Sequence, residues 1–326
     1  MGLTTSYPSL DTIRAAGEVV WPHAHRTPIV ASRSLSEATG YDVHLKAELL
    51  QKTGSYKIRG PLYKLTRLDA EERARGVICS SAGNHAQGVA FAAAKHGVRA
   101  VVVMAENATP AKIEATRAYG AEVVLHGQIW DEANAHALEL AESEGLSMIH
   151  PFDDLELIAG QGTVGLEIVE DLPEVDVVVV PIGGGGLISG VASAVKQVRP
   201  QTRVIGVESS GAPAMQRAFA EGDGNPVTLD GVDTIIDGLR VRRVGVHTAA
   251  IVRALVDDIV TLPDEAIFDA LVWTMERCKL VPEGAAAAPV AALLGGLVAA
   301  EPSATVVAVL SGGNVDLSRL RGQRWN

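Results

Sequence analysis

The sequence predicts an α/β protein built on doubly wound, mostly parallel sheets with helices on both faces. Three observations predict it. Short β-branched runs alternate with longer Ala-rich stretches of helical composition. The chain is 47% hydrophobic but only 4% aromatic, so its apolar mass is Val, Ala, Leu and Ile, as buried parallel strands under Ala-rich helices require. Glycine-containing loops follow several strand candidates, where a doubly wound fold places its ligands.

Taken in order, the strand candidates begin at Val43 (VHLKAEL), Gly76 (GVICSS), Ala100 (AVVVMA) and Glu122 (EVVLHG). They continue at Ser147 (SMIHPF), Asp176 (DVVVVPIG), Arg203 (RVIGVES), Asp258 (DIVTL) and Ala304 (ATVVAVLSGG). Between them, Thr109 and Pro110 read as an N-cap with proline in the first turn, and Gly120 marks that helix's end. The run after Asn84, HAQGVAFAAAKH, reads as a helix that stops at Gly97. No fixed-period repeat and no low-complexity linker interrupts the chain, so composition alone draws no domain border.

The 326 residues suit two domains or one large one, with ample material for a core. The formal net charge of -11, without a basic stripe, argues against nucleic-acid binding. Cys79 and Cys278 have no metal-ligand spacing and point to a reducing compartment. The N-terminus lacks the basic and apolar regions of a secretory signal, and no polybasic signal accompanies the Gly2 start. The run Val177 to Val180 is far too short to cross a bilayer. A cytoplasmic enzyme with no membrane partner is expected.

The stretch KTGSYKIRGP (Lys52 to Pro61) carries three cations and, read alone, is a solvated loop. Three other loops give it context. In SSAGNHAQG, residues Ser81, Gly83, Asn84 and His85 would present hydroxyl and N–H groups at a helix N-terminus, where an anion binds well. The plainer reading makes Ser81 or Asn84 an ordinary cap. In PIGGGGLISG, Gly183, Gly184, Gly185 and Gly186 cost chain entropy and make sense where backbone must approach a ligand such as a phosphate. The mononucleotide loop fails here because Val191 follows Gly190. The dinucleotide fingerprint fails strictly, although Glu208 ends the next strand and keeps a nicotinamide oxidoreductase open at this level. Ser311, in LSGGNVD, would point into the same crevice; otherwise its glycines simply make a turn.

Six motifs stand together in one order: KAELLQKTGSYKIRG, SSAGNHAQGVAFAA, IAGQGTVGLEI, PIGGGGLISGV, VPEGAAAA and SGGNVDLSRL. In this the chain resembles threonine/serine dehydratases of the short, catabolic type. These are fold type II pyridoxal-phosphate enzymes (tryptophan synthase β-like), and serine racemases and hydroxyaspartate dehydratases are close relatives. The resemblance spans about Thr27 to Leu320. It implies a large cofactor-binding domain of residues 1–70 and 151–326, with a small domain of residues 71–150 inserted to bind the substrate carboxylate. Lys57 matches the lysine that forms the Schiff base with pyridoxal 5'-phosphate. Tyr56 stands where the family usually has Phe beside the ring. Asn84 matches the partner of the cofactor's 3'-oxygen, and Ser81, Gly83, Asn84 and His85 match the substrate-carboxylate loop. Gly183 to Gly186 match the phosphate cradle, and Ser311 the hydroxyl facing the pyridine nitrogen.

The activity so implied is α,β-elimination from L-threonine or L-serine, giving a 2-oxo acid and ammonia. Lys57, once freed by the substrate amine, would take the Cα proton as general base, for which it needs a pKa lowered by desolvation. A serine at position 311 holds no negative charge, so the carbanion is less stabilised and prompt loss of the β-hydroxyl is favoured. A homodimer or homotetramer is the family's usual assembly. Lys52 and Arg59 then read as solvated or locally paired.

Some positions depart from the relatives. Serine racemases carry an acid/base serine where this chain has Ala82, which favours elimination over racemisation. Glu208 matches a glutamate of the racemase metal site, but the matching acid is replaced by Ala214, so a divalent site looks incomplete and a cation is doubtful. Arg240 stands where dehydratases usually have a small residue. It reads either as a surface arginine or as a pocket residue suited to a second substrate carboxylate, as in 3-hydroxyaspartate. Glu283 reads as a residue near the cofactor or a helix N-terminal acid, and Trp130 as a pocket wall or core.

Overall fold

The computed structural model describes residues 6–221 and 224–315. Ten strands are described: β1 (Ile29–Ala31), β2 (Asp42–Lys46), β3 (Val77–Ser80), β4 (Ala100–Met104), β5 (Glu122–Leu125), β6 (Ser147–Met148), β7 (Val177–Pro181), β8 (Arg203–Ser209), β9 (Asp258–Leu262) and β10 (Thr305–Val309). They form two sheets. One has six strands in the order β1-β2-β10-β7-β8-β9, the other four in the order β5-β4-β3-β6. Every pairing is parallel except β1 with β2 at an edge.

The expected doubly wound α/β architecture is therefore present, and the strand chemistry explains it. In β7 the side chains alternate: Val177 and Val179 enter one apolar core, Val178 and Val180 another. Burial on both faces is why the run is continuously apolar rather than alternating with polar residues. Helices Leu155–Asp171 and Gly186–Val198 cross in near-backbone contact, because a Cβ at Gly165 would lie 2.7 Å from the Val191 carbonyl oxygen.

The local helix signals hold. Helix Asn84–His96 ends on Gly97 in the left-handed conformation, at φ 64. Helix Pro110–Ala118 starts with Pro110 in its first turn, although the Thr109 side chain makes no capping hydrogen bond. SMIHPF is shorter than expected. Only Ser147–Met148 is strand, and the following residues turn away from the sheet.

Of the two readings of Arg59, solvated or locally paired, the first fails: it is wholly buried beside Lys46, Glu48 and Glu167, and paired both nearby and far along the chain. Its guanidinium donates to both oxygens of Glu48 (2.8 and 2.8 Å) and both of Glu167 (2.7 and 2.9 Å). Lys46 Nζ donates to Glu167 at 2.6 Å and to the Thr27 carbonyl at 2.7 Å. Trp21 Nε1 donates to Glu167, and the Thr27 hydroxyl to Glu48. Two cations against two carboxylates leave the cluster neutral, the condition under which burial is tolerated. Burial alone would raise the Glu167 carboxyl; the Arg59 and Lys46 charges override it and hold it below its usual range. Lys52, by contrast, is exposed as expected.

No helix among the described residues is long and apolar enough to cross a membrane.

Candidate active site

Lys57 lies in the one-turn helix Tyr56–Ile58, between β2 and the helix Arg59–Thr66. Its backbone is pressed against helix Asn84–His96 at Gly88, where a Cβ would overlap the Lys57 carbonyl. Its amine donates to the Pro151 carbonyl at 2.9 Å and stands 5.3 Å from the centre of the Tyr56 ring. Burial pushes the amine pKa down to about 8, against the opposing charge of Glu283. A fraction of the lysine is thus unprotonated near neutral pH, as a nucleophile or general base requires. Burial, then the Glu283 charge, raises the Tyr56 phenol, which stays neutral.

The glycine loop follows β7 and opens helix Gly186–Val198. The first N–H groups of a helix have no intrahelical partner, so Gly186, Leu187 and Ile188 offer donors to an anion. Gly185, at φ 93, needs its missing side chain. Gly184 is packed under the Phe152 ring, and a Cβ there would overlap it.

The loop after β3 departs from ordinary capping. Its N-cap is Gly83, and no side chain caps it. The Ser81 hydroxyl accepts the Gly83 N–H at 3.2 Å. Asn84 instead spends its amide nitrogen on both Glu283 oxygens, at 2.8 and 3.0 Å, while its oxygen accepts from Asn314 at 2.8 Å. His85 donates through Nε2 to the Ile149 carbonyl at 2.9 Å, which leaves Nδ1 as a buried, unpartnered acceptor. Burial, with the nearby Lys57 charge, pushes its pKa down to about 3, so the ring is neutral. An anion at this loop would therefore meet hydroxyl and backbone donors, not an imidazolium.

Ser311 follows β10, is buried, and accepts the Tyr56 N–H through its carbonyl at 3.1 Å. Gly312 is bridged to Ser55, so the Lys57 segment and the Ser311 segment are hydrogen-bonded neighbours. Residues 316–320 of the last motif lie outside the described residues.

Glu283, read from the sequence as a residue near the cofactor or a helix N-terminal acid, precedes helix Gly284–Leu294 and turns its part-buried carboxylate to Asn84 and the Lys57 charge. Burial raises its pKa despite those partners. Asn314 and the segment His150 to Asp154 carried no signal that set them apart. Trp130 is neither core nor wholly a wall: its indole is half exposed and donates to the Ser80 carbonyl at 3.2 Å.

Two further positions stand apart. Glu208, next to last in β8, accepts the Met215 and Gln216 N–H groups, at 2.9 and 2.8 Å. Burial pushes it up to about 8 despite these bonds. Among the described residues no group of three or more His, Cys, Asp or Glu is placed to hold a metal ion. Arg240 is exposed, after the turn Asp237–Leu239. That turn borders the site through Gly238, whose carbonyl abuts Gly183. An open cavity of about 790 Å³ beside Ser209 and Asp264 contains none of the expected site residues.

Residues 20–312 match the family model described as pyridoxal-phosphate dependent enzyme. The chain belongs to that family. Within it, the chain is 46% identical to an L-threonine ammonia-lyase of Thermotoga maritima, over 96% of this chain and 77% of the relative. It is 42% identical to a catabolic L-threonine dehydratase of Staphylococcus aureus, over 98% and 92%. Among solved structures, maize serine racemase superposes with a TM-score of 0.92 at 37% identity, covering 97% of this chain and 96% of the other. These likenesses support the fold type II architecture expected from the motifs.

The residues present fit pyridoxal phosphate. A part-buried amine with its pKa lowered to about 8 suits an aldehyde, and the glycine loop leaves no Cβ where a phosphate would approach backbone. The Ser55 hydroxyl, two residues before the lysine, is buried without a partner.

Proposed function

We propose that this pyridoxal-phosphate enzyme deaminates L-threonine and L-serine by α,β-elimination, giving 2-oxobutanoate or pyruvate and ammonia. One observation carries the reading. A part-buried amine with lowered pKa stands beside the strand-end loops of a chain 42–46% identical to an L-threonine ammonia-lyase and a catabolic L-threonine dehydratase.

Lys57 anchors the cofactor; Gly183 to Gly186 receive its phosphate; Tyr56, Asn84 and Ser311 surround its ring. Bound there, the cofactor supplies an electron sink for the substrate's Cα. Ser81, Gly83, Asn84 and His85 grip the substrate carboxylate through hydroxyl and backbone donors. Lys57 Nζ, released from its resting role, takes the Cα proton, and its pKa of about 8 leaves part of the amine unprotonated to do so near neutral pH. Ala82 offers no proton on the opposite face, which favours elimination over racemisation. Residues 71–150 act as the inserted small domain, and the enzyme works as a homodimer or homotetramer in the cytoplasm.

The purified protein should be yellow, with a band near ~410–420 nm as lysine-bound pyridoxal phosphate gives. A colourless protein that takes up no added cofactor would sink the proposal. Gly184→Ala should weaken cofactor binding by about tenfold, since its Cβ must displace the Phe152 ring. Titration of the apoprotein with cofactor checks it.

A second reading keeps the same chemistry for an acidic substrate such as 3-hydroxyaspartate. Arg240 favours it, lying two residues beyond the Gly238 that touches Gly183. A panel of 3-hydroxy amino acids assayed for 2-oxo acid separates the readings. Threonine and serine should lead. If 3-hydroxyaspartate leads, Arg240→Ala should impair that substrate selectively, by about tenfold or more, as loss of a charge-assisted pair would. D-serine forming faster than pyruvate from L-serine would contradict the argument from Ala82.

A further inference from the structure

We propose that His150 is a positioning residue for Lys57: its bare Nδ1 folds the turn that presents the Pro151 carbonyl to the lysine and lays Phe152 under the glycine loop. The inference rests on Lys57 being the cofactor lysine.

The segment His150 to Asp154 connects β6 to helix Leu155–Asp171, and each of its residues has a different partner. His150 Nδ1 accepts two backbone N–H groups, from Phe152 at 3.3 Å and Asp153 at 2.8 Å. An atom that accepts two donors carries no proton, so the neutral ring holds its hydrogen on Nε2. Burial, with the Lys57 charge, lowers the His150 pKa, while Asp153 and Asp154 oppose the shift. The bent chain turns the Pro151 carbonyl onto Lys57 Nζ at 2.9 Å. It also brings Phe152 edge-on to the His150 ring, 4.7 Å between centres, and packs it against Gly184 and Gly186.

Two carboxylates then fasten the turn. Asp153 accepts the N–H groups of Val246, His247 and Thr248, at 2.9, 2.8 and 3.3 Å. The Thr248 hydroxyl returns to the Gly184 carbonyl at 2.8 Å. Asp154 caps helix Leu155–Asp171 through the Leu157 N–H and pairs with Lys64 at 2.7 Å. Lys64 belongs to the helix that begins at Arg59. A single five-residue turn thus touches the amine, the glycine loop and the helix after the lysine. The distance from amine to phosphate cradle is set inside it, and the acceptor atom of His150 is what closes it.

Asparagine places an oxygen acceptor on the same γ branch as Nδ1, so His150→Asn should keep the turn, and His150→Ala should lose it. Amide hydrogen exchange on the apoprotein reads the turn directly. Phe152 and Asp153 should be protected in the wild type and in His150→Asn, and should exchange at least about tenfold faster in His150→Ala. With cofactor, His150→Ala should bind it about tenfold more weakly and lose kcat with little change in KM for substrate, and His150→Asn should restore both. The inference is overturned if His150→Ala keeps amide protection and cofactor affinity, or if a folded His150→Asn fails as His150→Ala does. A wild-type apoprotein whose His150 Nδ1 is protonated at neutral pH, by ¹⁵N chemical shift, would also overturn it without any variant. If Lys57 is not the cofactor anchor, the functional reading fails on the absorbance band while the amide-exchange result stands.

Discussion

Lys57→Ala is expected to abolish the band near ~410–420 nm and to cut turnover by at least about 1,000-fold, the scale of losing a positioned general base. The variant should fold normally, because the lysine amine makes a single hydrogen bond, to Pro151. Added cofactor should then bind only non-covalently, and borohydride should no longer fix it to the chain. The neighbouring lysines cannot substitute. Lys46 is buried but committed to Glu167 and the Thr27 carbonyl, Lys64 is paired with Asp154 and Glu156, and Lys52 is exposed. A retained band would mean that another lysine is the anchor, and peptide mapping of the reduced adduct would show which.

Arg59→Met is expected to give the largest loss of stability, about 3–5 kcal/mol, as breaking a buried charge pair does. Methionine fills much of the space but leaves Glu48 and Glu167 facing Lys46 alone. One carboxyl must then stay protonated in the folded chain, with its pKa above the unfolded value. The folded state holds the extra proton, so stability falls as pH rises, by about 1.4 kcal/mol per unit between the unfolded and folded pKa values. Denaturation midpoints at pH 6 and pH 8 check both parts: the deficit should be larger at pH 8. Arg59→Lys should recover little, since a lysine cannot span two carboxylates with a planar fork. An Arg59→Met midpoint equal to wild type at both pH values would show that the cluster contributes nothing net.

Much of this was legible in the sequence because it is local. Val177 to Val180 announces a strand by composition, Gly97 a helix end by conformation, and Gly183 to Gly186 a close approach by entropy cost. The edge strand Ile29–Ala31 was missed because three residues carry no periodicity, and its antiparallel partner β2 alone makes it a strand. The burial of Arg59 is illegible for a similar reason. Glu48 stands eleven residues before it, but its second partner, Glu167, lies 108 residues away. Glu283 and His150 fall between these cases. Each has a sequence address beside a helix or strand, but its role depends on which way its polar atoms turn. Asn84 reads from the sequence as a candidate site residue, yet its bonds to Glu283 and Asn314 come only from the assembled fold.

Two chain connections join the four-stranded sheet to the rest of the fold, and one apolar core, with Val77 and Val102 on one side and Val178 and Val180 on the other, packs them together. The outgoing one starts at Lys57 and its helix; the returning one is the turn from His150 to Asp154. The Lys57 amine, hydrogen-bonded to the Pro151 carbonyl, ties the two connections to each other. A shift of the four-stranded sheet that separated these two connections would break that hydrogen bond, so the Lys57 amine registers how the two sheets are spaced.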